Sequence, residues 1–185
     1  MLTENSKRIL LKAAKEAVIS AVNGDKFNRI ETNEPELLEK CGCFVTIKNK
    51  GRLRGCLGVF TASKPLIDMV TEMAASSATN DPRFYNDPIT PEELEELDIE
   101  ISVLSPLRQT DDPASLRIGQ EGIYIRRGMR SGCFLPQVAE ETGWSVEEFL
   151  GNCCTGKAGL DYYSWKDPDT KVYLFTVEIV KDSFK

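Results

Sequence analysis

Residues 43–48, Cys-Phe-Val-Thr-Ile-Lys, set Cys43, Val45 and Ile47 in alternation with Phe44, Thr46 and Lys48, and Asn49-Lys50-Gly51 follows directly. Alternation is the period of a half-buried strand and an Asn-x-Gly triplet is turn chemistry, so residues 52–59 return as the second strand of a hairpin. A hairpin is not stable alone; it needs more strands or a helix laid across its apolar face. The rest of the chain has to supply that cover.

The segments before and after the hairpin have the right pattern. Ile9, Leu10, Ala13, Ala14, Ala17, Val18, Ala21 and Val22 recur at helical spacing, Thr3 or Asn5 is placed to cap the helix, and Gly24 to end it. Pro35 to Lys40 reads as a short helical turn. A second long helix begins at Pro65 and carries Leu66, Ile67, Val70, Met73, Ala74 and Ser77 on one face. A proline-bounded loop, Asn80 to Pro88, leads to a short acidic helix capped by Thr90, and Ile99, Ile101 and Val103 alternate as a strand. After the charged link Asp111-Asp112-Pro113, the second half reads as a hairpin turning around Arg130-Ser131 and a helix from Pro136 to Thr142. A further helix with a Ser145/Glu148 capping box and a last strand from Lys171 to Val180 follow. Hairpin, helices and strand thus occur in both halves, 1–110 and 111–185, which points to a duplicated unit with a cleft between the halves.

Composition narrows the function. With 23 Lys+Arg against 29 Asp+Glu the formal charge is −6, which disfavours nonspecific nucleic-acid binding through phosphate neutralisation. No apolar run approaches the ~20 residues that span a bilayer, and Met1 to Asn5 lacks the start of a secretion signal, so a cytoplasmic setting with reduced thiols is expected for the six cysteines. Histidine is absent, which removes Ser-His-Asp and Cys-His catalysis and imidazole metal sites.

The densest chemistry lies on the return strand, in Leu53-Arg54-Gly55-Cys56-Leu57-Gly58. Arg54 offers a forked donor for a carboxylate or phosphate, and glycines in a strand mark a bulge or a close approach of backbone or ligand. Cys56 is either a nucleophile whose thiol is activated by Arg54, two residues away on the same strand face, or an inert small hydrophobe. Three other patterns have simpler readings. Gly151 to Ala158 nearly spells a Walker loop, but Ala158 stands where a hydroxyl belongs and a helix precedes it. A helix end with Gly156 as terminator fits better. Cys41, Cys43, Cys153 and Cys154 lack zinc-knuckle spacing and fit core packing, so no metal or other cofactor is expected. Asp81 and Arg83 form either a site-lining pair or a salt bridge that pins their loop.

Leu53 to Gly58, Asp81-Pro82-Arg83-Phe84, Val103 to Pro106, Gly132 to Ala139, Trp144 with Glu148-Phe149-Leu150, and Cys154 with Lys157 to Leu160 follow one another as in the AMMECR family, which the chain resembles from about Lys40 to Ile179. The resemblance implies an α+β fold, with a mixed or antiparallel sheet flanked by helices in two unequal lobes, and places the Arg-Gly-Cys motif near a cleft between them. It also implies work alongside Memo-type and radical S-adenosylmethionine proteins. Where many relatives carry histidine between glycines, this chain has Gly119-Gln120-Glu121-Gly122, and Glu121 replaces an imidazole base only with a strongly raised pKa. Three functions stay open at this level. The first is a site for a small anionic ligand or a peptide end, built from Arg54, Gly55, Gly58, Asp81, Arg83, Gln137 and Lys157. The second is an enzyme with Cys56 as nucleophile, and the third is a protein-interaction module without chemistry.

Overall fold

The computed structural model describes residues 1–184 and divides into two compact units. The first comprises residues 1–104 with the closing segment from Glu178; the second is Ser105–Val177.

In the first unit, Glu4–Asn23 form α1, with the Thr3 side chain accepting from the Ser6 amide and Gly24 ending the helix at a φ of 74°. After a single turn, α2 (Pro35–Leu38), come β1 (Cys43–Asn49), β2 (Arg52–Val59), α3 (Leu66–Thr79) and β3 (Leu97–Leu104). The hairpin of β1 and β2 is antiparallel, and β3 pairs antiparallel with the other side of β1, so the order is β2-β1-β3. Ala13, Ala14 and Ala17 are small enough to bring α1 against α3. Both helices close over the sheet face that carries Cys43, Val45, Ile47, Ile99, Ile101 and Val103, which is the core of this unit. Each buried Val, Leu or Ile stabilises by about 1.5–3 kcal/mol relative to exposure, so this face holds the unit together. Pro82–Phe84 and Pro91–Glu96 are 3₁₀ turns, the second held by a Thr90/Glu93 capping box.

The second unit starts with β4 (Arg108–Thr110), a short strand that escaped the sequence reading because its three residues are too few for a periodicity. It continues with β5 (Glu121–Arg127), β6 (Arg130–Phe134), α4 (Pro136–Thr142) and α5 (Val146–Cys153), and ends in β7 (Lys171–Ser183), whose last residues belong to the first unit. The hairpin turns at Gly128-Met129 rather than at Arg130-Ser131, because Arg127 pairs with Arg130 and Gly128 takes the left-handed φ of 59° that so tight a turn requires. The helix after Val146 widens into a π-helical turn, Cys154–Ala158, and stops at Gly159 with φ 63°; Gly156, the expected terminator, lies inside that turn. The sheet order is β7-β5-β6, with β4 on the other side of β7. Ile123, Ile125, Val172 and Leu174 face Phe149, Leu150 and Cys153 in a separate core.

The two units share a plan. Each has a hairpin whose first strand lies in the middle, helices next in sequence, and a returning strand antiparallel to that middle strand. Among the described residues no helix is long and apolar enough to cross a membrane.

Candidate functional site

The Arg-Gly-Cys-Leu-Gly motif lies on β2, an edge strand. Ile47 pairs with Gly55 and Lys48 with Leu53, so Arg54 is the extra residue of a β-bulge. The bulge breaks the two-residue alternation on which a shared face for Arg54 and Cys56 was expected. Cys56 pairs with Thr46, and the Thr46 hydroxyl donates to its Sγ at 3.1 Å.

Arg54, expected to offer its fork to a ligand, is 2% exposed and bonded to the protein's own acceptors. Its Nε and Nη2 donate to Glu93 at 3.1 and 2.9 Å, Nη1 to Asp87 at 2.9 Å, and Nη2 also to the Pro88 carbonyl at 3.0 Å. Burial pushes the Glu93 carboxyl up, but hydrogen bonds from Arg54 and Asn49 outweigh it and leave Glu93 below its ordinary pKa. The cluster ties β2 to the loop and turn of residues 87–93. Asp87 and Glu93 escaped the sequence reading, although Glu93 sits at the third position of the Thr90 capping box.

The two glycines serve packing. A Cβ on Gly55 would overlap the Ser77 carbonyl oxygen of α3, and one on Gly58 would overlap the Phe44 ring and the Cys43 carbonyl. The close approach at Gly55 lets the Ser77 hydroxyl enter the sheet, where it accepts from the Leu57 amide at 2.9 Å and donates to the Val45 carbonyl at 2.8 Å. By spacing alone Ser77 is one more residue of a helix face.

The outer edge of β2 at Cys56 is covered by side chains from the proline-bounded loop. Asp81 accepts from the Cys56 amide at 2.9 Å, and Arg83 donates from Nη2 to the Cys56 carbonyl at 3.1 Å and to Asp81 at 2.6 Å. Together they occupy the place of a neighbouring strand. The Arg83 hydrogen bond, together with the Cys56 and Arg83 amides, lowers the buried Asp81 carboxyl from 3.8 to about 2 against the opposing effect of burial. Arg83 itself stays 54% exposed, so its guanidinium lies beside the half-buried Cys56 with one side toward solvent. Burial pushes other thiols up: Cys43 to about 12, Cys133 to about 11, and Cys41, Cys153 and Cys154 in the same direction. Cys43 belongs to the first core, and Cys153 and Cys154 to the second.

Gln137 and Lys157 belong to the second unit. The Gln137 Oε1 is buried without a hydrogen-bond partner among the described residues, and the Lys157 ammonium lies 5.8 Å over the Phe134 ring. Glu121 is buried at the start of β5, where it accepts from the Arg117 amide and guanidinium at 3.0 and 3.2 Å and from Arg108 at 3.4 Å. Burial raises its pKa, but these donors and charges outweigh that and leave it lowered. This is the opposite of the shift an acid–base role near neutral pH requires.

Fold and strand pairing define an α+β domain whose antiparallel sheet is flanked by helices. The sequence profile of the AMMECR1 family matches residues 11–180, and the chain belongs to that family. A protein of Methanothermobacter thermautotrophicus is 43% identical, covering 96% of this chain and 95% of its own length. Protein TK0174 of Thermococcus kodakarensis is 40% identical over 95% of this chain and 89% of its own. The crystal structure of the uncharacterized protein PH0010 from Pyrococcus horikoshii is 38% identical and superposes with a TM-score of 0.82, covering 94% of this chain and 89% of that one.

Proposed function

We propose that this AMMECR1-family domain acts through Cys56 as a nucleophilic thiol, and that it takes a small anionic ligand or a peptide carboxylate steered by Arg83. One observation carries the reading: a half-buried thiol, oriented by the Thr46 hydroxyl at 3.1 Å, sits beside an exposed guanidinium anchored on the thiol's own residue. A fixed cation beside the thiol attracts an anion to it. Arg54, Gly55 and Gly58 hold this strand in place rather than touching the ligand. The family resemblance further leads us to propose a cytoplasmic role with Memo-type and radical S-adenosylmethionine proteins, tested by co-purification with and without Cys56→Ser.

The site is tested by paired alkylation. Iodoacetate is an anion and iodoacetamide is neutral, and peptide mapping reads each cysteine separately. Cys56 is expected to label first with both reagents below pH 8, with iodoacetate favoured, and Arg83→Gln should erase that preference by several fold. A Cys56 that stays unlabelled in the folded protein overturns the reading.

A further inference from the structure

The carboxyl-terminal part of β7 leaves one of its edges open. Pairing with β5 ends at Thr176, and β4 reaches only Leu174. The Thr176 carbonyl accepts from the Ser105 amide, and the Phe184 amide donates to Leu97, so both residues turn toward the side where β3 lies. Backbone groups alternate along a strand. The odd-numbered residues between them, Val177, Ile179, Lys181 and Ser183, therefore turn the other way, and the last three belong to the first unit. Ser183 is already closed off: its carbonyl accepts from the Lys15 ammonium, and its amide donates to Asp182 at 2.9 Å. Ile179 and Lys181 have no such cover among the described residues, and unpaired edge groups are a template for another strand.

That edge forms one wall of a groove of about 610 Å³, whose other wall is the flank of α1. The groove is an elongated slot beside a strand, the shape that β-augmentation uses. Its charge is uneven. Lys7, Arg8, Lys12 and Lys15 line α1 against Glu4 and Glu16. Lys7 and Lys15 are paired, at 2.8 Å to Glu4 and 2.5 Å to Asp182. Arg8 is bonded to Asn5, a neutral group, and Lys12 stands 3.8 Å from Glu16, beyond hydrogen-bond distance. In a chain of net charge −6, this is a local excess of cations along a slot. Ile179, 37% exposed, adds an apolar contact beside the open amide and carbonyl.

We propose that this edge docks an extended, acidic segment of a partner protein, which joins the sheet next to Ile179 and Lys181 while its carboxylates face Arg8 and Lys12. The peptide main chain supplies the pairing, and the α1 cations select its charge.

The test uses the full chain and a labelled peptide of alternating Val and Glu, with the Val/Lys peptide as its opposite. Fluorescence anisotropy should show binding of the acidic peptide, at least tenfold weaker for the basic one, and a Kd raised at least tenfold by the double variant Arg8→Glu/Lys12→Glu. In ¹⁵N-resolved spectra the Ile179 and Lys181 amides should shift and become protected from exchange as peptide is added. Ile179→Pro, which removes an edge donor where proline is tolerated, should abolish that protection; if this variant fails to fold, the charge variant and the amide shifts decide. Equal binding of both peptides, or unmoved Ile179 and Lys181 amides at saturation, overturns the proposal. So does self-association through this edge that acidic peptide does not compete away, because the occupant is then a second copy of the chain.

Discussion

Gly55-Cys56 on β2 and Gly132-Cys133 on β6 occupy the same place in the two units. Each glycine pairs with an isoleucine of the central strand, Ile47 or Ile125, and each lies against helical backbone, Ser77 in one case and Lys157-Ala158 in the other. Each cysteine is the next residue along, opposite Thr46 in the first unit and Tyr124 in the second. What surrounds them differs. The first strand has a bulge, a buried arginine cluster at Arg54, and the Asp81–Arg83 cover on its edge. The second pairs in unbroken register, with Ser131 where the first has Arg54, and its thiol is pushed up to about 11 by burial. Glycine-cysteine on a hairpin is thus the shared scaffold. The bulge, the buried Arg54 cluster and the Asp81–Arg83 cover belong to one copy of it.

The comparison can be broken most sharply at the residue before the glycine. Arg54→Ala should cost about 3 kcal/mol in chemical denaturation, at the lower end for removing one partner of a buried ion pair because Asp87 and Glu93 both reach solvent. Ser131→Ala should stay within about 0.5 kcal/mol. Equal losses would erase the distinction between the two strands. Gly55→Ala and Gly132→Ala, by contrast, should behave alike, each costing about 2 kcal/mol through overpacking. A neutral result at one of them would mean the shared scaffold is not shared.

Acid sharpens the same contrast. The folded pKa of Asp81 is depressed, so its contribution to stability is present above the unfolded value near 4 and is lost as pH falls toward about 2. Urea midpoints measured between pH 5 and pH 2 should fall less steeply in Asp81→Asn than in the parent; an unchanged slope would detach the edge cover from stability. The smallest effect is expected from Thr46→Val, which removes the hydroxyl bonded to Cys56. It should cost about 1 kcal/mol and slow Cys56 alkylation, while leaving Cys133 as it was.

Much of this architecture could be read from residue patterns. The hairpin from residue 43, the start of α1 near Thr3 or Asn5 and its end at Gly24, the cap at Thr90 and the Ser145 capping box are local signals, and local signals are what a sequence displays. The bulge at Arg54 is not local. It depends on how β2 meets β1 and α3, and without it Cys56 would pair with Val45 on the core face instead of with Thr46. Arg54 itself shows the limit well, since a guanidinium beside glycines looks the same in a sequence whether its acceptors come from a ligand or from Asp87 and Glu93. Ser77 was hidden for a related reason, because a hydroxyl entering a ladder has the same spacing as one that merely faces a core.

The passage of β7 from one unit into the other has a consequence for synthesis on the ribosome. Residues 1–104 emerge first, yet the segment from Glu178 that lies beside β3 emerges only after all of residues 105–177. The first unit therefore waits, incomplete, while the second is made, and its final strand must close a long loop before it pairs. Contacts so distant in sequence slow folding. During that wait the edge of β3 that pairs with β7 is open to other strands. The Ser105 amide bonded to the Thr176 carbonyl joins the two ends of the second unit, so early folding of that unit shortens the loop to be closed.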